Sequence, residues 1–255
     1  MNYAKRAYRS IFSENDLTFF QVKVKETDLC VGVRSERFAT ELIWLVEKTV
    51  KEERARLEAY IEKDPVFLKT FEPHRVLPDA PQIAVSMAEA ATEAGVGPMA
   101  AVAGAFSDMA GRLLARYSRD VVVENGGDIY LKSTRKRTVG IFAGPSPLSD
   151  KVAVEIPSDQ SPLGICTSSG TVGHSKSFGR ADACVILAAS ATLADAVATA
   201  AGNLVRTPAD IEEALAFAND IDRVTGAVII LGEHIGACGQ VKLIPYYREA
   251  QHPKE

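Results

Sequence analysis

A short turn signal between two apolar runs limits how this chain can fold. Residues 121–124 and 128–131 are both rich in apolar and β-branched side chains, and Asn125, Gly126 and Gly127 stand between them. Asn-Gly is the strongest short hairpin signal, because both residues tolerate positive φ. Since a hairpin joins two antiparallel strands, these residues predict an antiparallel sheet near the middle of the chain.

Strand and helix patterns surround this hairpin over the 255 residues. Alternation at 19–25 and an apolar run at 29–33 predict another hairpin, and further strands are predicted at 138–143, 151–156, 183–189, 227–231 and 240–244. Helices are predicted at 37–63, 82–94, 98–118, 192–204 and 208–217, with Thr192 and Thr207 as N-caps. Mixing without strict βα alternation indicates an α+β fold, with antiparallel sheets packed against long helices. We predict one domain over 1–255, or two closely packed lobes at about 1–120 and 121–255.

The composition argues against several classes of function. The formal net charge is -4, aromatic residues are 7% and there is one Trp. We therefore expect no nucleic-acid partner, because such proteins need basic and aromatic surface. No apolar run is long enough to span a membrane and no signal-peptide pattern follows the N-terminal basic residues, so we expect a cytoplasmic location. Four cysteines without a C-x-x-C pair predict buried free thiols.

The charged residues are unevenly distributed along the chain. The first 80 residues hold 14 Lys/Arg and 14 Asp/Glu, most of which the polar face of the predicted 37–63 helix explains. Residues 160–205 hold only four charged residues, which are Lys176, Arg180, Asp182 and Asp195. This charge-poor segment is therefore the better candidate for a binding or catalytic site.

Two features of the charge-poor segment suggest ligands. Residues 166–179 are rich in Ser, Thr and Gly and include His174 and Lys176, with Arg180 next, which suits an oligophosphate or a carboxylate. A mobile surface loop is the alternative. Asp195 and Thr199 are four apart on a predicted helix, so they share a face and suit a hard cation such as Mg²⁺. The alternative for Asp195 is an acid that interacts with the helix dipole.

Three segments, taken in order, resemble the ApbE superfamily of Mg²⁺-dependent FAD:protein FMN transferases. They are E-N-G-G-D-I at 124–129, G-I-C-T-S-S-G at 164–170 and A-D-A-V-A-T-A at 194–200. Most of the chain is similar to a cytoplasmic ApbE-like family, through Y-R at 8–9, E-T-D-L at 26–29, G-P-M-A-A-V-A-G at 97–104 and G-H-S-K-S-F-G-R-A-D-A at 173–183.

The resemblance implies an ApbE-type α+β fold with a flavin-nucleotide cleft. It implies that Asp195 and Thr199 hold Mg²⁺. The implied nucleotide-binding residues are Gly126, Gly127, Asp128, Thr167, Ser168, Ser169, Gly170, His174, Lys176 and Arg180. The implied reaction is attack on the FAD pyrophosphate by a hydroxyl of an acceptor protein or by water, with Mg²⁺ neutralising phosphate charge.

The chain also departs from the ApbE pattern. ApbE proteins carry H-x-x-D-P-x-T-G after the S-G loop, whereas residues 174–180 here read H-S-K-S-F-G-R without D-P-x-T-G. Two alternatives follow: a non-catalytic binder on the same fold, or a different enzyme that uses His174, Lys176 and Arg180 on an anionic metabolite. The small side chains of the predicted 98–118 helix allow close packing within the chain or across a homodimer.

Overall fold

The computed structural model describes residues 16–170 and 178–246, so His174 and Lys176 lie outside the described residues. The strands are β1 (Leu17–Val24), β2 (Thr27–Arg34), β3 (Val121–Asn125), β4 (Asp128–Lys132), β5 (Arg137–Gly140), β6 (Val152–Ile156), β7 (Leu163–Ser168), β8 (Ala183–Ala188), β9 (Val224–Leu231), β10 (His234–Gly239) and β11 (Lys242–Pro245). The helices are α1 (Thr40–Lys63), α2 (Pro65–Lys69), α3 (Gln82–Ala94), α4 (Val102–Leu114), α5 (Ala191–Leu204) and α6 (Ile211–Asn219).

The strands form two antiparallel sheets, which confirms the predicted α+β class. The larger sheet has eight strands in the order β1-β2-β3-β4-β7-β8-β9-β10, and the smaller has three in the order β11-β6-β5. Both predicted hairpins are present, β1 with β2 and β3 with β4. The central turn residues are Gly126 and Gly127, with φ of 73° and 111°, because Asn125 pairs with Asp128 in the ladder.

The eight-stranded sheet separates two apolar cores. All six helices contribute to the core on one face, and the three-stranded sheet packs against the other face. Strand β8 shows this arrangement directly, since Ile186 belongs to the helix-side core and its neighbour Leu187 to the sheet-side core. Every residue of β8 is buried, as its continuous apolar sequence predicts.

Several predictions of local structure are wrong. Strands β7 and β10 were not predicted, so Thr167 and Ser168 belong to a strand rather than a loop. The predicted 98–118 helix is a 3-10 turn at Pro98–Ala101 followed by α4, which ends at Leu114. The N-cap of α5 is Ser190, whose hydroxyl accepts the Leu193 N–H at 3.2 Å, whereas Thr192 lies within the helix. The predicted Thr207 cap is confirmed by a capping box with Asp210.

The small residues of α4 pack inside the chain. A Cβ at Gly104 would overlap the Ala191 carbonyl of α5, and one at Gly111 would overlap the ring of Tyr130. Contacts within the chain therefore explain these small residues without a second copy, and the homodimer stays a prediction. All four cysteines are free, and Cys166 and Cys184 are fully buried. None of the helices within the described ranges is long and apolar enough to cross a membrane.

Candidate functional site

Helix α5 has one line of polar side chains on a surface that is otherwise buried. Asp195, Thr199 and Asn203 follow one another at four-residue spacing and are half-buried, whereas the residues between them are buried. Four-residue spacing places side chains on one face of a helix. Before its last residue, the exposed Leu204, the residues of α5 that reach solvent are therefore polar, and they include both predicted metal ligands.

Asp195 interacts with the beginning of α4 rather than with its own helix. It lies beyond the first turn of α5, and its Oδ2 accepts the Gly104 N–H at 2.9 Å. Burial raises the pKa of Asp195 to about 7, although hydrogen bonds from the N–H groups of Gly104 and Ala103 act in the opposite direction. Burial is the larger effect, so the charged carboxylate lacks sufficient positive charge nearby. A bound cation would supply that charge.

The Thr199 hydroxyl has no hydrogen-bond partner among the residues that the structure describes. Two other threonines within helices bond to the carbonyl four residues earlier: Thr49 Oγ1 donates to Leu45 O at 2.8 Å, and Thr92 Oγ1 donates to Ala88 O at 2.7 Å. Thr199 lies one turn after Asp195 and makes no such bond. Its oxygen is therefore available, and the two residues fit a hard cation that prefers oxygen ligands.

Three carboxylates surround the buried thiol of Cys166. Burial raises its pKa well above the ordinary value, and the charges of Asp128, Asp195 and Asp108 act in the same direction. The Sγ donates to Ala191 O at 3.2 Å. Because a nucleophilic cysteine needs an accessible thiolate, Cys166 is a structural residue.

The described part of the chain contains no cluster of three His, Cys, Asp or Glu side chains with metal-binding geometry. A cation at Asp195 would therefore take its other ligands from Thr199, backbone oxygens, water and the substrate. This pattern is typical of Mg²⁺, which retains several waters and binds through few carboxylates together with phosphate oxygens.

The glycine turn and the end of β7 lie side by side. Thr167 N–H donates to Gly127 O at 3.3 Å, and Asp128 pairs with Cys166. Gly127 N–H donates to the Glu124 carboxylate at 2.9 Å, which fixes the turn. Positive φ at this turn favours glycine, so no side chain prevents a ligand from approaching its backbone.

Gly170 and Arg180 lie at the other end of α5. Gly170 N–H donates to Ala181 O at 2.9 Å, and Arg180 N–H donates to Val205 O at 2.7 Å. Ten residues of helix correspond to roughly 15 Å, so Arg180 is far from Asp195. The two predicted residues line a cleft of about 540 Å³ together with Gly179, Asp182, Arg206, Thr207, Pro208 and Leu231. Those predicted site residues that the structure describes thus form two groups along α5.

An exposed aromatic pair borders the polar face of α5. The rings of Phe71 and Phe178 meet edge to face, with centroids 5.2 Å apart, and the two residues are 56% and 58% exposed. Phe178 N–H donates to Asn203 Oδ1 at 2.7 Å, which places the pair beside the last residue of the polar line. Sequence reasoning missed this pair because its members are distant in the chain.

Asp108 was also missed, and it determines where α5 begins. Its Oδ1 accepts the Ala191 N–H at 2.9 Å, while its Oδ2 accepts the Thr192 N–H at 3.0 Å and the Thr192 hydroxyl at 2.6 Å. The side chain is buried within α4. A lone acid among small apolar helix residues was the signal that singled out Asp195, and it applies equally to Asp108.

We expect Asp108→Asn to destabilise the fold by about 2–3 kcal/mol, because an amide replaces one acceptor oxygen with a donor that faces other donors. Urea unfolding measures this change. Asp210→Asn, in the capping box before α6, is the control and should have a smaller effect. Equal losses of stability in the two variants would show that the buried cap of α5 contributes no more than the capping box before α6.

The fold defined by these elements is that of the ApbE flavin transferases. The chain matches flavin transferase ApbE from Vibrio cholerae with a TM-score of 0.54 and 13% identity, covering 88% of this chain and 96% of that one. It matches the apo flavinyl transferase ApbE of Pseudomonas stutzeri with a TM-score of 0.57 and 11% identity, covering 88% and 94%. Such low identities show the shared fold alone.

Sequence comparison assigns the chain to a narrower group than the shared fold does. The family model described as AbpE bacteria matches residues 9–240, and the chain belongs to this family. A UPF0280 protein of Methanococcus aeolicus is 41% identical over 226 residues, covering 87% of this chain and 90% of that protein. Another, from Methanocella arvoryzae, is 43% identical over 197 residues, covering 77% and 80%. The predicted ApbE-like membership is confirmed.

Proposed function

We propose that the protein binds FAD or a related nucleotide beside the polar face of α5 and acts at its pyrophosphate, with Mg²⁺ held by Asp195 and Thr199. The pair itself carries the proposal. A half-buried carboxylate, whose pKa burial raises to about 7, lies one helical turn from a hydroxyl without a partner in the described chain. The ApbE-type fold supports a flavin-related activity.

The chain's own residues would prepare this site before the ligand arrives. The Gly104 N–H orients the Asp195 carboxylate, and Asp108 holds the first turn of α5 in place. Mg²⁺ bound there would neutralise phosphate charge during pyrophosphate cleavage. The Gly126–Gly127 turn would let the nucleotide approach the backbone closely.

The separation of the two groups of site residues favours a long ligand. A single small anion would not reach across the roughly 15 Å of helix between Asp195 and the Arg180 backbone. A dinucleotide is long enough to contact both ends. The end of β7 connects the two groups: Thr167 N–H donates to Gly127 O, and Ser168 Oγ would lie 3.8 Å from a Cβ added at Gly202, near the end of α5.

The proposal is tested by incubating the protein with FAD and Mg²⁺ and separating the products by chromatography. We expect FMN and AMP when water is the acceptor, or FMN attached to protein when an acceptor protein is present, and no reaction in EDTA. Isothermal titration with FAD, FMN and ADP measures binding with and without Mg²⁺. If none of these ligands binds in the presence of Mg²⁺, the proposal is wrong.

The 540 Å³ cleft supports a second candidate function. Arg180 and Arg206 both line it, which suits an anionic metabolite bound without Mg²⁺. ApbE proteins carry a D-P-x-T-G segment that this sequence lacks, and this difference favours the alternative. Under this alternative ADP binds equally well in EDTA, and Arg206→Ala weakens binding whereas Asp195→Asn does not.

The aromatic pair provides a test of where a flavin or adenine ring would lie. We expect Phe178→Ala to weaken FAD binding roughly 5- to 150-fold, because stacking on an aromatic ring contributes about 1–3 kcal/mol per base. Phe38→Ala is the matched control, since Phe38 belongs to the Phe20–Phe38 ring pair on β1 and the segment before α1. Fluorescence titration with FAD measures both variants, and equal affinities for wild type and Phe178→Ala would contradict a ring site there.

A further inference from the structure

A second concave surface lies where α4 ends. It is a cleft of about 370 Å³ whose lining includes four arginines, Arg34, Arg37, Arg116 and Arg119, together with Glu36 and Tyr117. We call it the arginine cleft. Arg34 ends β2 and Arg116 follows α4, so residues far apart in the sequence form its two walls. The chain as a whole has a formal net charge of -4, so this concentration of positive charge is local.

The arginines of this cleft are incompletely neutralised. Arg34 Nε lies 3.0 Å from Glu36 Oε1 and 3.6 Å from Asp120 Oδ2. Asp120 is fully buried behind it and also lies 3.6 Å from Arg137 Nη2. Among the described residues, Glu36 is the only carboxylate that lines the cleft. Arg37, Arg116 and Arg119 have no ion pair within the described residues, so within that part of the chain three guanidinium groups remain for a ligand.

The C-terminus of α4 does not oppose an anion here. Helix C-termini carry partial negative charge on free carbonyls, which would repel a phosphate. In this helix Gly111 O accepts the Ala115 N–H at 2.9 Å, and Leu114 O accepts the N–H groups of Tyr117 and Ser118 at 2.8 and 3.0 Å. These carbonyls are therefore satisfied within the turn.

The walls of the cleft are joined to each other by a buried serine. Ser118 Oγ accepts the Arg34 N–H at 3.2 Å and donates to Asp120 O at 2.6 Å. This contact links the end of β2 to the segment after α4, so the cleft does not need a ligand to form. A preformed site binds more tightly, because less ordering accompanies binding.

We propose that the arginine cleft binds a phosphate-bearing small molecule at a site separate from the one beside α5. Guanidinium groups form paired hydrogen bonds with phosphate oxygens, and four arginine residues line this one concave surface. The Tyr117 ring, 48% exposed, adds a flat apolar wall. Twelve residues separate Gly104 from Arg116, which corresponds to roughly 18 Å along the helix, so one phosphate group does not serve both sites.

Isothermal titration with inorganic pyrophosphate tests this site. The titration uses the full chain with Asp195→Asn as background, in EDTA, so that it does not depend on the proposed Mg²⁺ site. We expect saturable binding that the double substitution Arg116→Ala with Arg119→Ala weakens at least ~10-fold, because the anion loses two guanidinium groups that can donate charge-assisted hydrogen bonds. Arg75→Ala, at an exposed arginine outside the cleft, should leave binding unchanged.

A conservative variant separates recognition from charge alone. Arg116→Lys with Arg119→Lys keeps both charges but loses the planar fork, so we expect affinity between those of the background protein and the double alanine variant. The proposal is overturned if pyrophosphate does not bind, if the double alanine variant binds as tightly as the background, or if Arg75→Ala weakens binding equally. Circular dichroism confirms that each variant is folded.

Discussion

Asp195→Asn is expected to abolish Mg²⁺-dependent action on FAD while stabilising the protein above pH 7 in EDTA. The amide removes the only charged ligand of the proposed metal pair, so turnover should fall by more than the ~100-fold typical of losing an outer-shell partner. The same substitution removes a half-buried negative charge. Function and stability should therefore change in opposite directions.

The pH dependence follows from the direction of the pKa shift. Burial raises the pKa of Asp195 to about 7 in the folded protein, whereas an unfolded chain has a value of about 3.9. Between these values the folded state binds more protons than the unfolded state, so the stability contributed by Asp195 decreases as pH rises from about 4 to about 7. The free energy of unfolding of Asp195→Asn should not show this decrease with rising pH, which amounts to a few kcal/mol.

Urea unfolding at pH 5 and pH 8 measures the effect for both proteins, first in EDTA and then with MgCl₂. Wild type should gain stability from Mg²⁺ chiefly at pH 8, because the carboxylate is then ionised, and Asp195→Asn should gain none. Thr199→Val should reduce the Mg²⁺ effect with little loss of stability. Thr92→Val is its matched control: it loses a hydrogen bond in α3 but should leave FAD turnover unchanged. Mg²⁺-dependent turnover by Asp195→Asn would falsify the metal assignment.

Gly104→Ala is expected to have the second large effect. A Cβ at this position would overlap the Ala191 carbonyl and lie 2.9 Å from Asp195 Cβ, so α4 and α5 would have to separate. Overpacking of this kind costs about 1–3 kcal/mol, which exceeds the ~1 kcal/mol that alanine gains in helix propensity. The displaced Gly104 N–H would no longer orient Asp195, so FAD turnover should fall as well.

Gly202→Ala on α5 is the matched control. The nearest atom to its added Cβ is Cys184 Cβ at 3.5 Å, which is an ordinary contact, so this change should be neutral or stabilise the helix by up to ~1 kcal/mol. Urea unfolding and FAD turnover are measured for both variants. Unchanged unfolding of Gly104→Ala would show that α4 and α5 do not approach as closely as the structure indicates.

Elements with strong local patterns were predictable from the sequence. The β3–β4 hairpin follows from its glycine turn, α3 ends at Gly95 with φ of 71°, and α1 and α5 follow from their periodicity. Strand β7 was not predictable, because Gly164, Thr167 and Ser168 make it resemble a loop. It is a strand because β4 and β8 pair with it on both sides, and that pairing is a property of the whole sheet.

The candidate site also has features that were predictable from the sequence and features that were not. Four-residue spacing placed Asp195 and Thr199 on one face of a predicted helix, which is a local relation that the structure retains, and the family resemblance proposed them as metal ligands. The Gly104 N–H that orients Asp195, the Asp108 cap and the contact of Phe178 with Asn203 join residues 25 to 91 positions apart. The arginine cleft likewise depends on β2 meeting the end of α4. Sequence periodicity determined most of the elements and placed Asp195 and Thr199 on one helix face, whereas packing of the small-residue helices on the sheet decided their surroundings, because contacts between distant segments leave no local pattern.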